Sequence, residues 1–135
     1  MNAKDFFNED QFAKFVGIEL MEIGNGYAKA RMEIKSIHLN GGGVCQGGAI
    51  FTLADLAFAA ATNSHAQLTF SITSNINFFK SEKSGCLYAT AKEIFNHRKL
   101  ANCEVRITNE AGELIATFNG NGYRKDIDLP FEPVE

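Results

Sequence analysis

Residues 40–58 read NGGGVCQGGAIFTLADLAF, and the segment continues as AAAT to residue 62. A glycine-rich run passes directly into an apolar stretch that holds one carboxylate, Asp55. Beyond Gly48 this stretch contains neither glycine nor proline, and it is rich in Ala and Leu, so it predicts a helix over 47–62. Apolar residues lie on nearly every side of that helix. It therefore belongs in an interior, and its alanines let other backbone approach closely. An aspartate there costs burial energy unless it lines a wet cleft or meets a partner. Asp55 is the residue to explain.

Working outward, four strand candidates follow the helix: FSITSNINFF (70–79), CLYATAKEIF (86–95), LANCEVRITN (100–109) and ELIATFNGNGYR (113–124). The turns KSEKSG, NHRK and EAG separate them, which reads as a meander. Before the helix, IELMEIG and AKARMEI flank Asn25-Gly26, a hairpin signal. Over 3–16, Phe6, Phe7, Phe12, Phe15 and Val16 recur at roughly helical spacing, predicting one short helix that docks an aromatic face. Both prolines lie in 126–135, read as a tail. The fold class is α+β, an antiparallel sheet of about six strands curled around a central helix about 24 Å long.

The chain of 135 residues suits a single domain, residues 1–135, with 45% hydrophobic residues to build its core. Thirteen basic residues face 16 acidic ones, a net charge of −3, which argues against a nucleic-acid partner. No signal peptide and no apolar run of membrane-spanning length is present, so no membrane partner and a cytoplasmic location are expected. Cys45, Cys86 and Cys103 fit neither a disulfide framework nor a zinc site. Cys45 precedes the helix start, where a thiolate would be stabilised, yet no histidine is placed to serve it, and it reads as a packed thiol. His38, His65 and His97 lack metal-binding spacing and read as surface or loop residues.

Asn40, the Gly47-Gly48 pair seven positions on, Leu53-Ala54-Asp55 with Phe58, and Asn63-Ser64 together resemble the hotdog-fold thioesterases of the phenylacetate-degradation type. The resemblance continues through INFFKSEKSG and the final hairpin, covering about residues 10–124. Two departures stand out: Gln46 where that family commonly has histidine, and no proline between Lys80 and Lys83. The resemblance implies an acyl-coenzyme A substrate, no cofactor, no metal, and a homodimer with two equivalent sites assembled into a homotetramer.

Thioester hydrolysis needs a donor for the developing oxyanion and a group that attacks or activates water. Gly47 falls at the helix start, so its N–H is an unsatisfied first-turn donor at the positive end of the dipole. Asp55 is the candidate nucleophile or general base, and Asn40 would orient water or thioester. Gln46, Gly48, Phe58, Ser71 and Thr73 are candidate substrate contacts, with Phe58 or Phe78 lining an apolar acyl pocket and the two hydroxyls holding water. Arg98 and Lys99 lead the candidates for the coenzyme A phosphates, ahead of Lys80, Lys83, Arg124 and Lys125. Asp55 stands eight positions beyond Gly47, about 12 Å along a helix, too far for both to touch one carbonyl. Two antiparallel helices in a two-fold dimer would bring Gly47 and Asn40 of one subunit toward Asp55 of the other.

Other readings of the same residues stay open. Asp55 as a helix residue bonding a loop, Asn40 as a turn former and the glycines as a tight helix entry need no catalysis. A noncatalytic acyl-coenzyme A binding or sensing module would keep fold and pocket without Asp55. A hydratase would want a histidine beside the carboxylate, and a phosphate loop would want Gly-Lys-Ser/Thr; neither is present.

Overall fold

The computed structural model describes residues Met1–Glu135. Two short helices open the chain, α1 (Ala3–Phe7) and α2 (Gln11–Val16), followed by the hairpin β1 (Ile18–Gly24) and β2 (Tyr27–Glu33). A single 3-10 turn at Ser36–His38 leads into the glycine-rich loop, and α3 then runs from Gly47 to Thr62, the bounds the sequence predicts. Four strands complete the fold: β3 (Gln67–Phe78), β4 (Cys86–Asn96), β5 (Leu100–Thr108) and β6 (Leu114–Asp128).

All six strands form one antiparallel sheet in the order β1-β2-β4-β5-β6-β3. The meander expected for the last four strands holds only for β4-β5-β6. β3 pairs with β6 and forms an edge of the sheet. The link from Phe79 to Gly85 is too long for a hairpin; it carries the chain across three strand spacings, about 14 Å, within the roughly 23 Å that seven extended residues reach.

The concave face holds α3. Small residues pair across it, Ala28 with Ala91 and Ala30 with Ala89, beside Met32 with Leu87, and all six are buried against the helix residues Ile50, Leu53, Ala54, Leu56, Ala57 and Ala61. On β6 the helix side carries Gly120 and Gly122. A Cβ on Gly120 would lie 2.7 Å from the Phe58 ring, so the missing side chain is the space that Phe58 fills.

Three expectations are revised. The single N-terminal helix is broken at Asn8–Asp10, because Asp10 caps α2 by accepting from the Ala13 N–H at 2.9 Å. Of the four phenylalanines only Phe6 and Phe7 dock, against Phe131 of the C-terminal segment, while Val16 packs on the core and Phe12 and Phe15 stay exposed. The stretch read as a tail begins as strand through Asp128 and then pairs back, the Leu129 N–H donating to the Ala66 carbonyl and the Val134 N–H to that of Ser64, each at 2.8 Å. His38 and His65 do lie in turns, as the sequence suggests, but neither is free at the surface. His38 is buried, accepting at Nδ1 from the Lys35 N–H and bonding the Val16 carbonyl through Nε2. His65 meets the buried Glu93 at 2.9 Å.

Candidate active site

The first turn of α3 ends in open donors. Gln46 occupies the cap position without a side-chain cap bond, and its carbonyl accepts from the Ala49 and Ile50 N–H groups. The N–H groups of Gly47 and Gly48 find no acceptor within the subunit. A polar ligand oxygen arriving there meets two amides and the positive end of a four-turn helix. At Gly47 an added Cβ would lie 3.0 Å from the Phe78 ring, so glycine is what permits close approach.

Asn40 organises the loop before this helix. Its Oδ1 accepts from the Gly42 and Val44 N–H groups at 2.9 and 3.2 Å, and its backbone N–H donates to the Val44 carbonyl at 2.8 Å. Its side-chain nitrogen makes no bond within the subunit. The turn-former role and a ligand-facing amide are thus compatible in one side chain. The loop is pinned at its far end by the Cys45 N–H on the Glu82 carbonyl and the Gln46 N–H on that of His38.

Asp55 lies two turns along α3, half-buried, on the strip of the helix that includes Gly48, Thr52 and Ala59, turned away from the sheet. Burial, and then the Asp10 carboxylate, push its pKa above the ordinary carboxylate value. No donor within the subunit compensates that burial. A half-desolvated, unpaired carboxylate is a stronger base than one in water.

Two cavities flank the helix start. One, about 340 Å³, is lined by Gly47 with Cys45, Ile50, Phe78, Phe79 and Lys80. The other, about 480 Å³, lies between α2 and the first turns of α3 and includes Gln46 and Gly48 in its wall. Gln46 folds its amide over Gly48, whose added Cβ would stand 2.8 Å from Oε1. Cys45 is buried, and desolvation pushes its thiol up, as suits a packed side chain rather than a nucleophile.

Gly47, Gly48, Gln46 and Asn40 therefore gather at one end of α3, with Asp55 at mid-helix. Phe58 does not join them: it is buried in the core between Phe118 and the β6 glycines, and of the two phenylalanines expected at the acyl pocket Phe78 is the one that lines a cavity. Ser71 and Thr73, two positions apart, would share a face of a regular strand; they separate because a β-bulge shifts the register between them. Ser71 pairs with Gly122 on the helix side and shares a 2.9 Å contact with Ser74, while Thr73 pairs with Asn121 on the opposite face and accepts from its Nδ2. Arg98 and Lys99 sit in the β4–β5 turn, at the end of the sheet that carries the C-terminus of α3, so they do not approach Gly47 of their own subunit. The cation that lines a Gly47 cavity is Lys80, held at 2.6 Å by Glu113. Phe79 and Ile37, missed in the sequence, also line these cavities; single exposed apolar residues beside turns carry no signal that distinguishes them.

No three His, Cys, Asp or Glu side chains cluster as metal ligands would, and no helix is long and apolar enough to cross a membrane.

The family model of the thioesterase superfamily matches residues 42–116, the stretch from the glycine-rich loop to the start of β6. A relative from Archaeoglobus fulgidus is 40% identical over 130 residues, covering 95% of this chain and 84% of its own. The acyl-coenzyme A thioesterase PaaI of Escherichia coli is 32% identical over 124 residues, 91% of this chain and 89% of that protein. The structure of the E. coli PaaI protein from the phenylacetic acid degradation operon superposes with a TM-score of 0.90, at 30% identity over 95% of this chain and 94% of that one. The sheet wound around α3 is thus the hotdog fold, and the chain belongs to the thioesterase superfamily, as a PaaI-like thioester hydrolase.

Proposed function

We propose that the protein hydrolyses acyl-coenzyme A thioesters to the free acid and coenzyme A, at sites built across a two-fold dimer. The observation that carries this reading is the pairing, on one helix, of open first-turn amides at Gly47 with an unpaired, half-buried Asp55. The thioester carbonyl oxygen takes the Gly47 N–H, whose hydrogen bond strengthens as negative charge develops there. Asp55 of the opposite subunit either takes a proton from the attacking water, or attacks the carbonyl carbon itself to give a mixed anhydride that water then hydrolyses to the free acid and the restored carboxylate. The carbon–sulfur bond then breaks, and coenzyme A leaves as the thiol once its sulfur is protonated. Asn40, with its free side-chain nitrogen, holds the attacking water or the thioester.

The sheet edges support the dimer. β3 is an edge strand that exposes Phe70, Ile72 and Phe78, an arrangement that an isolated subunit leaves open to pairing. Antiparallel helices across a two-fold axis bring Asp55 toward the partner's helix start, and would bring Arg98 and Lys99 toward the partner's site, where Lys80 already lines the cavity. Two such dimers assembling into a tetramer, a cytoplasmic location and the absence of a cofactor belong to the same reading.

Release of free thiol from a panel of acyl-coenzyme A substrates tests the activity. A mixing experiment tests the shared site. Gly47→Pro deletes one N–H at the helix position where proline is best tolerated, and Asp55→Asn deletes the carboxylate. Each homodimer should be inactive. Mixed and reassociated, they should recover about a quarter of wild-type turnover, because half the dimers are hybrid and each hybrid has one intact site. No recovery from demonstrated hybrids would overturn the shared site.

A further inference from the structure

The helix α2 is assembled the wrong way round for a helix whose only task is to cover the core. Its buried side chain is its smallest, Ala13, while Phe12 and Phe15 are 62% and 81% exposed. Burial favours the reverse. Phe12, Phe15 and Val16 share one face at helical spacing, and all three line the 480 Å³ cavity beside the α3 helix start.

The opposite wall is Ile37, also largely exposed, and the floor is Ala49 and Thr52 of α3. His38 ties the two walls: it sits in the 3-10 turn with Ile37, and its ring bonds the Val16 carbonyl at 2.6 Å and the Lys35 N–H at 2.8 Å. Both of its nitrogens are thereby engaged. No Asp, Glu, Lys or Arg lines the cavity. Its volume falls within the range of small-molecule sites, roughly 300–1,000 Å³. The second cavity at the helix start differs in carrying Lys80.

We infer that the cavity between α2 and α3 receives the acyl group, and that Phe12 and Phe15 set a preference for uncharged, apolar acyl groups longer than acetyl. This rests on the acyl-coenzyme A reading above. A carbonyl held at Gly47 lies between the two cavities. The uncharged one suits the acyl portion, whereas the one with the ammonium group suits the polar arm that leads to the phosphates. A group of several carbons covers the exposed phenyl rings and displaces water from them; an acetyl group leaves them wet. An acyl group bearing a carboxylate would be disfavoured, since no cation in the wall would pair with it.

The test measures kcat/KM on acetyl-, butanoyl-, hexanoyl-, benzoyl- and succinyl-coenzyme A for the wild type, Phe12→Ala/Phe15→Ala and Phe78→Ala, with sedimentation to report assembly. In the wild type, kcat/KM should rise a few-fold per added methylene, with succinyl the poorest substrate relative to its length. In the double variant the hexanoyl-to-acetyl ratio should fall at least tenfold, about 1.4 kcal/mol, with the assembly state retained; the benzoyl-to-acetyl ratio shows whether a ring is held like a chain. Losses that are uniform across chain length, a collapse of the ratio in Phe78→Ala alone, or dissociation of the double variant with its selectivity intact would each overturn the pocket assignment while the hydrolytic reading stands. Failure of the wild type to cleave any of the five would remove the acyl-coenzyme A reading and this inference with it.

Discussion

The two ends of α3 are opposite in character. At the C-terminal end side chains cap the last turn. The last-turn carbonyls of Phe58, Ala59, Ala61 and Thr62 accept from Thr62, Asn63, Ser64 and Arg124 respectively. Arg124 also donates to Thr69, Asn96 and the His97 carbonyl, and Glu93 joins it to His65. At the N-terminal end two amides have no acceptor, Gln46 supplies no cap, and two turns on Asp55 has no donor. The same helix is closed where it anchors the fold and left open where it meets a ligand. Bonds at one end give rigidity; the missing bonds at the other leave capacity for binding.

The largest effect expected from breaking this contrast is at the closed end. Arg124→Ala removes a nearly inaccessible guanidinium and leaves Glu93 buried without its cation. Loss of one partner from a buried pair costs about 3–5 kcal/mol, so the denaturation midpoint should fall steeply in urea. The kcat per folded molecule, measured below that midpoint, should remain near wild type, because nothing near Gly47 or Asp55 has changed; any loss of binding should fall on KM, through the β4–β5 turn that Arg124 holds at Asn96 and His97. Equal loss of both would show that the two ends are not separable.

Asp55→Asn should do the reverse. Thiol release should fall 10²-fold or more, about 2.7 kcal/mol or more in the barrier, while stability rises. The sign follows from the direction of the shift: a carboxyl whose folded value is raised contributes stability that is complete below the ordinary value of 3.8 and is lost as pH rises through the folded value. At pH 7 the native carboxylate is therefore a liability that asparagine removes. The Tm gain of the variant should shrink as pH is lowered toward 3.8.

How much of this was legible in the sequence depended on range. The helix over 47–62 and the position of Asp55 follow from local composition, because a carboxylate amid alanine and leucine announces itself. The place of β3 does not, since its paired residues on β6 lie roughly forty to sixty positions away and strand pairing is a long-range choice. Phe58 misled for a related reason. Its side of the helix is decided by Gly120 and Gly122, sixty residues on, whose missing side chains make its pocket. His38 and His65 looked like loose histidines because their partners, the Val16 carbonyl and Glu93, are 22 and 28 positions away. Phe12 and Phe15 fitted an amphipathic pattern whose apolar face turned out to look into a cavity.

Phe58 also marks where the closed end begins. Gly120→Ala would place a Cβ 2.7 Å from its ring and 3.1 Å from that of Phe118, an overpacking that costs about 1–3 kcal/mol. If Phe58 belongs to the anchor, chemical denaturation should report this loss while KM stays unchanged. A KM shift at constant stability would instead return Phe58 to the site.

The smallest effect sharpens the contrast most, because it concerns one group that serves both purposes. Asp10 caps α2 through the Ala13 N–H and also faces Asp55, whose pKa it raises second to burial. Asparagine caps a helix about as well as aspartate, so Asp10→Asn should leave α2, and the cavity it walls, intact while removing the neighbouring charge. Asp55 would then ionise more easily. If ionised Asp55 is the working form, kcat/KM falls on the acid side as it protonates, and that limb should move to lower pH in the variant. Above the limb, where Asp55 is ionised in both proteins, a weaker base should give a slightly lower plateau. Asp10→Ala separates the two roles: it should move the limb in the same direction but also lower stability by about 0.5–2 kcal/mol through the lost cap. A limb that stays fixed in both variants would mean that Asp55 does not set the pH dependence, and the carboxylate at mid-helix would need another account.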